Sequence, residues 1–246
     1  LKSDRREKRS LFRCRFDFYI CLYCISILPL IYRGVSPVWA AVLVAILTTV
    51  VTMYLLGGIS SKSATAVAGT VLGVGISGIL AILFGKWTHI SGYNVADIEQ
   101  LTYVGQTTNI KIGELLYAGI LISALGAVMD VAMSIASTIN EIHFRNPLLS
   151  ARELFFSGIR VGKDMMGTMS NTLILAFTGT SINTLVFLYV YNYSTTQIIN
   201  MYSIGIELIQ GIASTMGVIL TIPLVSLLSA WHLKRKEIKI FSKIFK

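Results

Sequence analysis

One acid stands in a long apolar run. Asp130 lies within SALGAVMDVAMSIAS, residues 123–137, and apolar sequence continues upstream through LLYAGILI. An ionisable side chain in such a setting is costly and is by default a candidate for function. On a helix, Ser123, Gly126, Ala127, Ser134 and Ser137 share its face at three- and four-residue steps. That face is small and polar, while Val, Met and Ile occupy the flanks. The expectation is that the face turns toward other helices and that Asp130 lines a seam exchanging a proton or ion. The structural alternative is that Asp130 locks helices together through hydrogen bonds.

Other polar groups gather at the same depth. GTMSNTLILAFTGTS opens a later apolar run and carries Thr168, Ser170 and Asn171. Gly167 is expected to break the helix there, as at the half-helix ends that bind ions in transporters. A rise of about 1.5 Å per residue brings Asn171 within reach of Asp130, with Thr221 of the last span level with both. Glu207 and Gln210 sit at the outer end of that span, roughly 24 Å from Asp130 in depth, and form a separate pair of candidates.

Other chemistries find no support in the residues. Cys14, Cys21 and Cys24 include one C-x-x-C spacing but no second pair to complete a zinc site. His89, His143 and His232 are isolated. Met129, Met133, Met166 and Met169 lie near Asp130, but methionine commonly fills gaps in apolar cores. No catalytic residues, metal ligands or cofactor are expected.

These residues need elements to hold them. The chain has 246 residues, only 13% of them charged, and a mean hydropathy of +0.71. A soluble domain carries about 25% charged residues, so the composition implies a membrane protein. Its apolar runs are continuous and approach the roughly 20 residues of a membrane helix. The expected fold is all-α, with about six transmembrane helices over 17–32, 36–56, 64–85, 112–138, 166–190 and 205–231. A basic segment, 1–16, precedes this membrane domain of 17–231, and a basic tail, 232–246, follows it. Eighteen of the 21 Lys and Arg residues fall on one side of that arrangement. The positive-inside rule then places both termini in the cytoplasm. The net charge of +9 reflects this placement, and nucleic acid is not an expected partner.

Two segments carry local signals. Gly69 and Gly73 form a small-xxx-small step suited to close helix packing. Between 139 and 165, Asn146-Pro147 marks a turn, and Ser150 with Glu153 makes the spacing of a capping box. Arg152, Glu153, Arg160, Lys163 and Asp164 share one arc of the helix that follows. The segment 150–165 is therefore expected to lie as a separate amphipathic helix in the inner interface.

Three long segments resemble the YibE/F family of bacterial membrane proteins: residues 123–137, NPLLSARELFFSGIRVGKDMMGTMSNTLILAF at 146–177, and GVILTIPLV at 217–225. Asp130 in its span resembles the YibE type, whereas Gln210 stands where Arg would be expected. The resemblance implies a multi-pass protein of the bacterial inner membrane, permease-like by family label and without an assigned substrate. The leading expectation is a permease moving a small solute or ion through the seam around Asp130. The rival is a non-transporting scaffold or assembly partner. Partners are the lipid bilayer and a homo-oligomer or sister membrane subunit.

Overall fold

A computed structural model describes residues 27–244, apart from 59, 91, 95–97 and 109. Among these residues there are helices and short 3-10 turns but no strands. The helices are α1 (Leu28–Tyr32), α2 (Pro37–Gly57), α3 (Ser61–Trp87), α4 (Ile98–Thr107), α5 (Leu115–Arg145), α6 (Ala151–Thr180), α7 (Ile182–Val190), α8 (Thr195–Ile199) and α9 (Tyr202–Ile244). The first expected span falls largely outside the described residues, as do the three cysteines; only α1 represents it.

Local chemistry sets the helix ends. Pro37 opens α2, where its missing N–H costs nothing. Gly58 follows α2 at φ +65°, a left-handed position that glycine takes without strain. The Ser60 hydroxyl accepts from the Ser63 N–H to cap α3. Before α6 the capping box is present in both directions: Ser150 N–H donates to Glu153 at 2.7 Å, and Glu153 N–H donates to the Ser150 hydroxyl. Arg145 ends α5, where a cation favours the helix dipole.

Four helices are long and apolar enough to cross a membrane: α2, α3, α5 and α9. A fifth crossing exists if α6 and α7, bent by 55° at Ser181, act as one span. The structure therefore holds four or five candidate crossings among its described residues, where six and an interfacial helix were expected. Residues 150–165 are not a separate element. They are the first half of α6, which runs unbroken to Thr180 through Gly167. The amphipathic pattern misled because the apolar arc that suits a lipid interface also suits a neighbouring helix. Gly158 and Gly162 press that arc onto Ser226 and Ile222 of α9.

At the centre lie α3, α5 and α9, with α2 against α3 and α5, and α6 against α9 and α5. The tightest joint is between α3 and α9. Thr65, Gly69, Gly73, Ser77 and Ala81 repeat every fourth residue on α3, and Ala213, Gly217, Thr221, Val225 and Ser229 do so on α9. All ten are buried. Gly69 meets Val225, Gly73 meets Thr221, and a Cβ on Gly217 would lie 2.7 Å from that of Ser77. Small residues at this spacing let helix backbones approach closely, which is the main source of helix association in lipid. The Ser77 hydroxyl donates across the joint to the Ala213 carbonyl at 3.0 Å. On the other side of α3, Gly78 receives Leu121 of α5.

Candidate functional site

The position of Asp130 follows from the packing of α5. Leu121 meets Gly78 of α3, and Ile139 meets Gly158 of α6. Asp130 is nine residues from each, about 180° round an ideal helix. Its carboxylate therefore points away from both neighbours, and Asp130 is exposed. Gly119 and Gly126 lie on the same outward face, and a Cβ added to either would meet nothing within 4 Å. Ser123 and Ser134 are half-buried at its edge. The Ser123 hydroxyl donates to the Ile120 carbonyl, and the Ser134 carbonyl accepts from Thr138. The expectation that this face turns inward is thus reversed: the large residues Leu121, Leu125, Val128 and Ile135 take the interior.

The other candidates scatter. Asn171 is nine residues from Gly162, so it stands on the side of α6 opposite to the α9 contact. It is exposed, as are Gly167 and Thr168. The Thr168 hydroxyl donates to the Asp164 carbonyl at 3.3 Å, a bond within its own helix. Ser170 is half-buried. Thr221 is fully buried and donates to the Gly217 carbonyl at 2.7 Å. Its hydroxyl faces Gly73, so Thr221 belongs to the α3–α9 joint. The structure does not gather Asp130, Asn171 and Thr221 around one point. Glu207 and Gln210 are half-buried near the start of α9, on its far end from Thr221.

Hydroxyls are buried elsewhere, at more than one helix contact: Ser77 faces α9, whereas Ser226 faces Gly158 of α6. Thr48, Thr49 and Thr52 of α2, Ser63, Thr65, Thr70 and Ser77 of α3, and Ser214, Thr221, Ser226 and Ser229 of α9 are all buried. Thr49 and Thr70 return their hydroxyls to carbonyls one turn back, the usual way such groups are satisfied inside a helix. Ser214, Ser226, Ser229 and Thr48 bury hydroxyls without a partner among the described residues. Of the buried hydroxyl residues, Thr65, Ser77, Thr221 and Ser229 fall on the four-residue repeat of small residues that forms the α3–α9 joint; in the sequence that repeat extends well beyond Gly69 and Gly73. The methionines serve packing: Met129 is in the core, and Met133, Met166 and Met169 lie against it.

The model of the YibE/F-like protein family matches residues 9–235. The chain belongs to this family. No curated protein and no solved structure matches it. The matched region runs from before α1 through the whole helical bundle into α9. The YibE/F-like chain is accordingly a multi-pass helical membrane protein, in which Asp130 occupies the perimeter and a small-residue joint occupies the centre.

Proposed function

We propose that this protein works as a subunit of a membrane assembly, in the manner of a scaffold, and not as a self-contained permease. The observation behind this reading is where the polar groups lie. A one-chain permease needs a polar path through its bundle. Here the centre is the backbone-close joint of α3, α5 and α9, lined by hydroxyls and glycines. The groups able to bind an ion or solute, Asp130, Thr168 and Asn171, face outward. The outer half of α6 and most of α7 are exposed as well, including Leu175, Phe187 and Tyr189.

A second reading draws on one specific feature. Arg160, Asp164, Gly167 and Asn171 repeat at three- and four-residue steps along the exposed side of α6. That polar strip climbs roughly 17 Å, about half the hydrocarbon thickness. If transport occurs, its path runs along this strip, between this chain and a second subunit.

Purified protein reconstituted in liposomes tests both readings. Alone, it is expected to pass neither protons nor small ions at any pH. A photo-crosslinking residue at position 171 is expected to capture protein and not lipid. Flux through the purified chain that Asp130→Asn abolishes would overturn the assembly reading and support a one-chain permease.

A further inference from the structure

Two aromatic rings mark one end of the bundle. Trp231 of α9 is 54% exposed and Phe156 of α6 is 49% exposed. An arginine four residues away lies over each ring: Arg235 over Trp231, 4.8 Å from its centroid, and Arg152 over Phe156, at 5.8 Å. Gly158 packs on Ser226 and Gly162 on Ile222, so α6 and α9 run in opposite directions. Both arginines therefore lie on the same side of their rings, about 6 Å nearer the end of the bundle. The same register brings the two rings within about 5 Å of one another in depth. The Lys234 ammonium donates to the Pro147 carbonyl at 2.9 Å, which fastens this turn of α9 to the segment leading into α6.

Charge at this end is one-sided. Glu141 is paired with Arg145 at 2.8 Å, and Glu153 is engaged in the Ser150 cap. Arg152 and Arg235 are exposed, and among the described residues neither is in an ion pair. Toward the middle of the bundle, Leu220 and Leu227 are exposed on the same stripe of α9 as Trp231, at seven- and four-residue steps. That stripe passes from aliphatic through aromatic to cationic. Tryptophan favours the boundary between hydrocarbon and headgroups, and the cation–π contact holds the guanidinium just beyond that boundary.

We propose that this end of α9, with the start of α6 beside it, binds an anionic phospholipid. Its phosphate lies at Arg235, its acyl chain runs along Leu227 and Leu220, and Arg152 adds a second positive charge from the neighbouring helix. Both halves of such a molecule find a counterpart here. Free phosphate would leave the apolar stripe unused. A zwitterionic lipid would bring an amine to a place where both nearby carboxylates, Glu141 and Glu153, are already engaged. A lipid of net negative charge matches the arginines and the leucines together.

Trp231 itself reports on the site. Full-length protein with Trp39→Phe and Trp87→Phe keeps it as the single tryptophan. This protein, in phosphatidylcholine bilayers, is given phosphatidylglycerol or phosphatidylcholine brominated on the acyl chains, at equal mole fraction, and quenching of Trp231 is read. Phosphatidylglycerol is expected to associate about fivefold more strongly than phosphatidylcholine, the scale of one basic side chain at an anionic surface. Arg152→Gln with Arg235→Gln should erase that preference and leave quenching by phosphatidylcholine unchanged. Arg33→Gln with Lys86→Gln removes the same charge at the other end of the bundle and should preserve it. Equal quenching by the two lipids, or a preference that survives loss of Arg152 and Arg235, would overturn the proposal. Loss of the preference with Arg33 and Lys86 would assign it to net charge, and quenching by neither lipid would assign the surface to another polypeptide. Displacement of phosphatidylglycerol by inorganic phosphate at constant ionic strength would assign it to free phosphate. Each of these three results would also overturn the proposal.

Discussion

Gly73 of α3 lies directly against Thr221 of α9, with no room between them for a Cβ atom. Thr221 is fully buried there, and its hydroxyl is already committed to the Gly217 carbonyl one turn back. The contact is the midpoint of a joint that also pairs Gly69 with Val225 and Ser77 with Gly217. Because lipid supplies no hydrophobic drive to bring helices together, close packing of this kind carries the association. The stability of the bundle therefore rests on residues that have almost no side chain.

Enlarging Gly73 should separate α3 from α9. Gly73→Val is expected to lower stability by about 1–3 kcal/mol, the usual range for overpacking. Gly75, two residues on, has nothing within 4 Å of its Cβ position. Gly75→Ala should be neutral, or stabilising by up to about 1 kcal/mol through helix propensity. Thermal unfolding of both variants in the same detergent checks the contrast; equal losses would mean that the joint is not where the stability lies.

The hydrogen bond from Ser77 to the Ala213 carbonyl crosses the same joint. Ser77→Ala removes the donor but keeps the size, and the carbonyl retains its place in the α9 ladder. A loss of roughly 0.6 kcal/mol is expected, typical of hydrogen bonds between membrane helices. Unfolding measured beside Gly73→Val separates this small polar contribution from the larger steric one.

Ser150 should matter for the start of α6. Ser150→Ala removes the hydroxyl that accepts from Glu153 N–H at 3.3 Å. A cost of about 0.5–2 kcal/mol is expected. Amide hydrogen exchange reads it locally: protection should fall in the first turn of α6 and stay unchanged around Leu173, which is buried in the core. Loss of protection along the whole helix would show instead that the cap holds the entire α6–α9 contact.

If α6 and α7 together form one crossing, Leu148 and Asn192 lie on opposite sides of the membrane. Leu148 is 94% exposed in the turn before α6, and Asn192 follows α7 in a left-handed turn at φ 51°. Single cysteines at these positions, in protein lacking the three native ones, should label from opposite faces with an impermeant maleimide. By the positive-inside rule, position 148, beside Arg145 and Arg152, is expected to label from the cytoplasmic face. Labelling of both from one face would make the bent pair a re-entrant loop and reduce the crossings among the described residues to four.

Much of this arrangement was legible in the residue order because it depends on local properties. Hydropathy over about 20 residues identifies a membrane helix without reference to neighbours, and α2, α3, α5 and α9 lie where the apolar runs do. The Ser150–Glu153 box and the Gly69–Gly73 step are likewise short-range patterns, and both appear in the structure. Orientation was not legible. Periodicity says that Asp130 and Gly126 share a face and that Leu121 lies opposite, but not which face meets another helix. Two demands compete there: the carboxylate favours shelter, and the large side chains favour a packed interior. Tertiary packing decided for the second, because Gly78 and Gly158 on neighbouring helices receive Leu121 and Ile139. The same limit applies to Gly167, whose flexibility allowed a break that the continuous contacts of α6 with α9 made unnecessary. Composition and local order thus determined a helical membrane protein, whereas the fit of glycines against partner side chains decided which polar groups face the outside.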